Sequence, residues 1–224
     1  MNFFEYQKIA HSDVRMEEIF RLRFKVYCQE CGYEDACDYQ SGLEHDSFDA
    51  VSTHFAACES GDGKVVGTVR IIRGSRMGFP ALNHFKIDEP CLPKVPSNQI
   101  GEISRLAISK EYRRRMVDRA IYSDDRKVVS FFDEKEKRDW RKRFELELVT
   151  GLYHCIYEES LRLGLTHLYA VMSDGLYALL KRWGLVWEPI GPLMDYHGVR
   201  RPYVASVEEN MQWFDSGSSV MISV

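Results

Sequence analysis

Residues 99–109 have the sequence Gln-Ile-Gly-Glu-Ile-Ser-Arg-Leu-Ala-Ile-Ser, whose isoleucines and leucine are typical of a β-strand. Glu102 and Arg105 lie inside this predicted strand, beside Ser104. Ionised side chains are seldom buried unless they are paired or hydrogen-bonded. The stretch therefore predicts a strand that borders a reaction cleft. The alternative is an ordinary strand whose charged face is solvated.

The elements predicted on either side of this strand define the fold class. A helix is expected over 13–31, capped by Ser12 or Asp13 and ended by Gly32, and a second long helix over 143–163. The other predicted elements are strands at 53–58, 64–73, 166–172, 185–190 and 202–208, and a short helix at 174–183. This order predicts an α/β fold, an α/β/α sandwich around a mixed, centrally antiparallel twisted sheet.

Length and composition limit the class of protein. The chain has 224 residues, enough for one domain, expected at 1–214, with a flexible tail at 215–224. Its net charge of −4 excludes a generally basic nucleic-acid binder. No secretory signal is visible at the start, and no run approaches the roughly 18 apolar residues of a membrane span. We expect a cytoplasmic protein with no transmembrane segment, and weak membrane association is left open.

Metal and hydrolase chemistry find little support in the sequence. Cys28-x-x-Cys31 suggests zinc or redox chemistry, but a structural zinc site needs a second Cys or His pair, and none has that spacing. We expect reduced thiols and no metal. His45, His54 and His197 follow no hydrolase spacing, and His197 is expected in a turn.

Residues 113–143 differ in charge from the rest of the chain. They contain twelve Lys or Arg and seven Asp or Glu, a net charge of +5, which leaves −9 for the remainder. The segment is interpreted either as a solvated insertion or as a docking surface for an acidic partner.

Several motifs, taken in order, resemble a known family. They are Arg23-Phe-Lys-Val-Tyr27, Tyr33, Glu44-His-Asp46-x-x-Asp49, Arg70 and Glu102-Ile-Ser-Arg105. This order resembles the acyl-homoserine-lactone synthases of the GCN5-related N-acyltransferase (GNAT) superfamily. Segments 21–33, 102–114 and 196–202 are more similar to long-chain N-acyl amino acid synthases and to exosortase-associated acyltransferases. The resemblance covers most of 15–207 and implies a GNAT-like sheet splayed at strand four.

Two departures from the family pattern affect the expected substrates. Tyr27 and Tyr33 stand where the lactone synthases usually have Phe and Trp. The glycine-containing loop that cradles phosphate in coenzyme A-using relatives is absent after strand 99–109, and the cluster 113–115 (Arg-Arg-Arg) takes its place. The site is therefore less suited to coenzyme A.

The resemblance implies direct attack of an amine on an acyl thioester. Glu102 is the expected base, and a structural salt bridge to Arg70 or Arg105 is its alternative role. Backbone N–H groups of Leu106, Ala107 or Ile108 are expected to stabilise the oxyanion.

Acceptor binding is expected from the charged residues of the motifs. Arg23, Arg70 and Arg105 are available to hold an acceptor carboxylate. Asp46 and Asp49 bind the acceptor ammonium or, alternatively, lock the arginines in place. The other expected substrate-binding residues are Tyr27, Tyr33 and Ser104. The expected lining of an acyl slot, equally explicable as core, is Phe24, Phe79, Phe85, Leu106, Met172, Leu176, Leu179 and Trp183.

The leading hypothesis is an N-acyltransferase that moves a long fatty acyl group from acyl carrier protein to the α-amine of an amino acid. No permanently bound cofactor is expected; the donor is acyl carrier protein with its 4′-phosphopantetheine arm, or acyl-coenzyme A. The expected docking residues for the carrier are Arg113, Arg114, Arg115 and Lys142. The alternatives are an acyl-homoserine-lactone synthase that uses S-adenosylmethionine and a non-catalytic acyl-binding module.

Overall fold

The computed structural model describes residues 3–110 and 134–215, with side chains for all of these except 134–145 and 215. The strands are β1 (Phe4–Ile9), β2 (Ser52–Glu59), β3 (Val65–Arg73), β4 (Ile100–Ile108), β5 (His167–Met172), β6 (Glu188–Pro189), β7 (Met194–Asp195) and β8 (Val199–Ser206). The α-helices are α1 (Arg15–Phe24), α2 (Pro80–His84), α3 (Glu134–Arg162), α4 (Asp174–Arg182) and α5 (Val207–Asp215). A π-helical turn, Lys25–Glu30, continues α1.

The strands form a mixed sheet in the order β1-β2-β3-β4-β5-β8-β6, and β7 pairs with the start of β8. Strands β4 and β5 are parallel, whereas the other described pairs are antiparallel. Helices cover both faces, so the predicted α/β/α sandwich around a mixed sheet is confirmed.

The sheet opens beside the second half of β4. Strand β5 pairs with β4 from Ile100 to Ile103 and no further along β4. The pairing of β3 with β4 then contains a bulge, in which Arg105 and Leu106 together oppose Val69. Arg105 takes a φ of 54°, a left-handed conformation that is uncommon outside glycine. The predicted splay at strand four is this opening.

Three apolar clusters place the helices on the sheet. The largest lies on the face covered by α3, α4 and α5. On the opposite face, α1 packs over β2 and β3, and α2 packs over the middle of β4 and β5. The buried polar side chains of His54, Arg70 and Glu102 lie on this second face. The charged groups predicted from strand 99–109 therefore lie between two apolar clusters.

The N-terminal boundaries differ from the predictions. Strand β1 was not predicted, because the central residues of Phe4–Ile9 are polar and only its ends are buried. The predicted helix 13–31 is α1 plus the π-helical turn, and Gly32 follows it with a φ of 64°. Its N-cap is Val14, without a side-chain cap, so the Ser12 or Asp13 cap was wrong. Asp13 instead accepts the backbone N–H of Arg15.

The C-terminal boundaries also differ. Helix α3 starts at Glu134, so the final part of the predicted insertion 113–143 is helical. The predicted strand at 185–190 is reduced to Glu188–Pro189. Strand β8 ends at Ser206, where the prediction continued the strand to 208, because Val207 begins α5. The single-domain assignment stays a prediction, and residues 216–224 of the predicted tail lie outside the described residues.

Candidate active site

The π-helical turn after α1 holds Tyr27 against the bulge in β4. The Tyr27 hydroxyl donates a 2.9 Å hydrogen bond to the carbonyl oxygen of Leu106. The guanidinium carbon of Arg105 lies 5.3 Å from the centre of the Tyr27 ring. Burial raises the pKa of Tyr27 to about 12, so this hydroxyl stays protonated as a donor at neutral pH. A one-turn π-helix, common at functional sites, thus supports the backbone where the sheet opens.

Three arginines and four carboxylates form an ionic cluster beside this opening. Its members are Arg23, Arg70, Arg105, Glu34, Glu44, Asp46 and Asp49. The two terminal nitrogens of Arg70 each lie 2.7 Å from an oxygen of Asp46, and its Nε donates to Oγ of Ser104 at 2.9 Å. Burial alone would raise the pKa of Asp46, but the hydrogen bonds and charge of Arg70 outweigh it and lower that pKa.

Arg23 occupies the innermost part of the ionic cluster. Its Nε lies 2.5 Å from Glu44 and its Nη1 lies 2.7 Å from Asp49, while only 1% of its side chain is exposed. Burial opposes the charge of Arg23, yet Asp49 and Glu44 more than compensate and raise its pKa. Burial likewise opposes the charge of Asp49, whose pKa is nevertheless lowered by Arg23 and Arg70.

Arg105 closes the ionic cluster on the side of the bulge. Its Nε donates to Glu44 at 3.1 Å, and its Nη2 donates to Glu34 at 3.0 Å and lies 3.4 Å from Asp46. These contacts hold the residue in its left-handed backbone conformation.

Each guanidinium in the ionic cluster is therefore engaged by carboxylates of the chain itself. This arrangement is the internal lock that the sequence allowed for Asp46 and Asp49. With three cations and four anions, the ionic cluster carries a formal charge of −1 at neutral pH. The side chains of Asp46 and Glu34 are 25% and 21% exposed, so the negative excess is accessible.

Glu102 lies next to the ionic cluster without joining it. Its side chain is buried, and Oε2 accepts the backbone N–H of Ala81 at 2.9 Å. Within residues 3–110 and 134–215, no cation lies within ion-pair distance of Glu102, so the alternative salt bridge to Arg70 or Arg105 is absent there. Burial raises the pKa of Glu102 to about 7, although the Ala81 N–H and the nearby arginines partly offset this effect. At neutral pH the group can both accept and release a proton.

The turn between β7 and β8 borders the same site. Its His197 has a φ of 54°, which is in keeping with the turn predicted for it. Tyr196 stacks on His84 of α2, with ring centres 5.1 Å apart. His197 lies 6.2 Å from the ring of Tyr33, which in turn lies 6.1 Å from Tyr27. The turn thus contacts both α2, which bonds to Glu102, and the aromatic residues beside Tyr27.

The predicted acyl-slot residues are divided between different parts of the fold. Leu106, Met172, Leu176 and Trp183 belong to the largest apolar cluster, beside the opening in the sheet. Phe79 packs in the cluster under α2, and Phe85 contacts Tyr196. Phe24 lines a separate cavity of about 450 Å³ between α1 and β3. Leu179 is half-buried on α4.

The predicted carrier-docking residues lie outside the described side chains. Arg113, Arg114 and Arg115 fall in 111–133, and Lys142 is in the part of α3 without described side chains. Across the described part of the chain, no three or more His, Cys, Asp or Glu are grouped to hold a metal ion. None of the described helices is long and apolar enough to cross a membrane. The six cysteines are free thiols.

Several residues of the site were not predicted. Glu34, Tyr196 and Arg200 carried no recognised role, although the last two lie in the quoted segment 196–202. Ala81 contributes a backbone N–H, which no side-chain pattern reveals. Glu44 was part of a quoted motif, and in the structure Arg23 and Arg105 both donate to it.

A family model and several known proteins are similar to this chain. Residues 22–123 match the acetyltransferase (GNAT) domain family. An acyl-homoserine-lactone synthase of Aeromonas hydrophila is 25% identical over 175 residues, 78% of this chain and 70% of the relative. The solved structure of BjaI, a CoA-dependent acyl-homoserine lactone synthase, has a TM-score of 0.65 at 18% identity and covers 99% of this chain and 90% of its own. FeeM, an N-acyl amino acid synthase from uncultured soil microbes, has a TM-score of 0.54 at 13% identity, with 95% and 93% covered.

These matches confirm the resemblance to the GNAT superfamily and to the acyl-homoserine-lactone synthase fold. Residues 22–123 are thus similar to a GNAT acetyltransferase domain, and this similarity indicates an N-acyltransferase.

Proposed function

We propose that the chain transfers a long fatty acyl group from acyl carrier protein to the α-amine of an amino acid. The observation that carries this proposal is Glu102, a buried carboxyl without an ion-pair partner in the described structure, at the edge of a cluster with negative excess. An amino acid arrives as an ammonium ion, which a negative site attracts and a base of pKa about 7 can deprotonate.

The reaction follows from this placement. Glu102 takes a proton from the acceptor ammonium, and the freed nitrogen attacks the thioester carbonyl carbon. A C–N bond forms, the oxyanion is stabilised by N–H groups of Leu106, Ala107 or Ile108, and the C–S bond then breaks. The nitrogen of the tetrahedral intermediate carries one proton more than the amide product; this second proton goes to the leaving thiolate, and the proton held by Glu102 passes to solvent. These three backbone positions follow the point where β5 leaves β4, which supports their role.

The end of β4 supports a carrier protein as donor. Glu30 accepts the Ser109 hydroxyl at 2.8 Å and the Lys110 backbone N–H at 2.9 Å. A resident carboxylate thus takes donors that an incoming phosphate would use, and it repels one electrostatically. The sequence beyond, with its arginine cluster 113–115 and no glycine nearby, supports an acidic protein partner.

The test is incubation of the protein with long-chain acyl carrier protein and a panel of amino acids, with products read by mass spectrometry. We expect N-acyl amino acids from the wild-type protein and none from Glu102→Gln. Absence of any N-acyl product with every acceptor would contradict the proposal. Binding of acyl carrier protein by both proteins, measured in parallel, shows that the variant is folded.

A second candidate is acyl-homoserine-lactone synthesis from S-adenosylmethionine. It is favoured by the lactone synthase of 25% identity and by the higher TM-score of BjaI, 0.65, than of FeeM, 0.54. Incubation with S-adenosylmethionine in place of the amino acids distinguishes the two. Release of methylthioadenosine would establish this second candidate, and its absence would favour the first.

A further inference from the structure

Arg200 is a cation of the site that pairs with no carboxylate in the described part of the chain. Its Nε donates to the carbonyl oxygen of Tyr196 at 3.1 Å and its Nη2 donates to that of His197 at 3.2 Å. Its guanidinium carbon lies 4.8 Å from the centre of the Tyr33 ring. Throughout 3–110 and 134–215, Arg200 makes no ion pair. Its planar group is thus held in place while its charge stays available to a ligand.

The ionic cluster is not available to bind the carboxylate of a ligand. Arg23, Arg70 and Arg105 are bound by four carboxylates, and the net charge of −1 repels another anion. An amino acid acceptor brings both an ammonium and a carboxylate. The ammonium suits the cluster and Glu102, so the carboxylate needs a separate cation on the same face of the sheet.

Strand alternation places Arg200 on that face. Tyr203, two residues after Arg201, packs in the apolar cluster on the α3 face of the sheet. Val204, four residues after Arg200, packs under α2 on the opposite face. Since alternate residues share a face, Arg200 points toward the α2 side with Val204, and Arg201 points away from it. Arg200 packs on the ring of Tyr33, Tyr33 contacts Tyr27, and Tyr27 contacts Arg105 of the ionic cluster. Arg200 therefore borders the site that contains Glu102.

We propose that Arg200 binds the α-carboxylate of the acceptor while the ionic cluster receives its ammonium. This assignment rests on the proposed N-acyl transfer. The assignment makes the proposed transfer more specific, because it requires an acceptor with a free carboxylate beside its amine, rather than a simple amine or the N-terminal residue of a peptide. S-adenosylmethionine has the same pair of groups, so Arg200 serves either candidate reaction.

The test compares acceptors that differ only in the carboxylate. Alanine, leucine and tyrosine are each assayed against alaninamide, leucinamide and tyrosinamide, with acyl carrier protein as the donor. In Arg200→Gln, we expect kcat/KM for the acids to fall by at least about tenfold, mainly through KM, because a charge-assisted hydrogen bond is lost. For the amides we expect a change of less than about twofold, since a neutral amide never engaged the charge.

Matched variants separate binding from structure. Arg201→Gln, on the same strand and the opposite face, should leave the ratio of acid to amide unchanged. Arg200→Lys should restore part of the preference for acids, because it restores the charge without the planar fork. An equal loss for acids and amides in Arg200→Gln would mean that the residue only holds the turn, and it would overturn the assignment.

A titration without turnover keeps the two proposals distinct. Binding of the same acids and amides to the wild-type protein and to Arg200→Gln is measured by isothermal calorimetry. Acids that bind the wild-type protein in preference to amides, with no product formed, would contradict the proposed transfer and leave the carboxylate site standing. Equal binding of acids and amides to the wild-type protein would contradict the carboxylate site alone.

Discussion

The backbone N–H of Ala81 donates a 2.9 Å hydrogen bond to Oε2 of Glu102, and it joins the short helix α2 to the middle of β4. This bond favours the ionised carboxyl, whereas burial disfavours it. Burial has the larger effect, since the pKa of Glu102 is raised to about 7. The position of a five-residue helix therefore helps to set how basic this carboxylate is.

The pH dependence of the rate should report the ionisation of Glu102. We expect kcat/KM to rise with pH through a limb with a midpoint near 7, because the base must be ionised. In Glu102→Gln this limb should vanish and the rate fall by at least about 100-fold. Steady-state assays with acceptors of different amine pKa serve as the control. A midpoint that follows the amine rather than staying near 7 would assign the limb to the substrate.

The same carboxyl should cost stability at high pH. A folded-state pKa raised from 4.5 to about 7 means that its contribution is fully favourable below about pH 4.5 and is lost as pH rises through 7. Glu102→Gln should therefore be more stable than the wild-type protein at pH 8.5, by about 2–3 kcal/mol, and nearly equal at pH 4.5. Urea unfolding at the two pH values measures this difference. A variant that is equally stable or less stable at pH 8.5 would contradict the burial argument.

The buried part of the ionic cluster should be essential for stability. Asp49→Asn removes the charge that faces both Arg23 and Arg70, so we expect a loss of about 3–5 kcal/mol in the free energy of unfolding. The exposed pair of Arg21 and Glu17 provides the control, because Glu17→Gln should cost less than about 0.5 kcal/mol. Denaturant unfolding measures both. Equal costs for the two variants would show that burial adds nothing to the Asp49 contacts.

Asp49 should also contribute to the loss of folding stability at low pH. Its pKa is lowered in the folded state, so its contribution is present above the unfolded value near 3.8 and is lost as pH falls toward the folded value. Asp49→Asn should accordingly unfold with a weaker dependence on pH between 5 and about 2. An unchanged acid dependence would place the responsible carboxylates elsewhere.

Donor choice should respond to Glu30. The wild-type protein should prefer acyl carrier protein over acyl-coenzyme A, because the Glu30 carboxylate occupies the Ser109 and Lys110 donors. In Glu30→Gln we expect the ratio of kcat/KM values to shift toward acyl-coenzyme A by at least about threefold. Glu188→Gln, an exposed carboxylate on β6, is the matched control. An unchanged ratio would show that Glu30 has no part in donor choice.

The elements around β4 could be predicted because their apolar residues have regular spacing. The strands at 53–58, 64–73 and 166–172 and the helix at 174–183 agree with the structure to within one or two residues. Strand β1 could not be predicted, since an edge strand with only its ends buried has a polar composition. Helix α5 was missed because a strand pattern ran into its first residue, Val207.

The site was predictable where side chains carry it. Glu102 and Arg105 could be named as charged residues in an apolar strand, whereas Arg70, Asp46 and Asp49 were named from the resemblance to the lactone synthases. The structure brings all five together. What the sequence could not reveal is backbone chemistry, such as the Ala81 N–H and the left-handed φ of Arg105. Every residue has an N–H, and no composition marks which one will meet a carboxylate.

Four residue pairs join β4 to β5, and the strands on the two sides of this junction should pair at different stages of folding. Strands β2, β3 and β4 pair with strands that are adjacent in the chain, whereas the parallel pairing of β4 with β5 joins strands that 58 residues separate, between Ile108 and His167, and should form later. We expect this join to form last and to open first in hydrogen exchange. A substrate that spans the gap would tie the halves together, so its binding free energy adds to the stability of the folded chain.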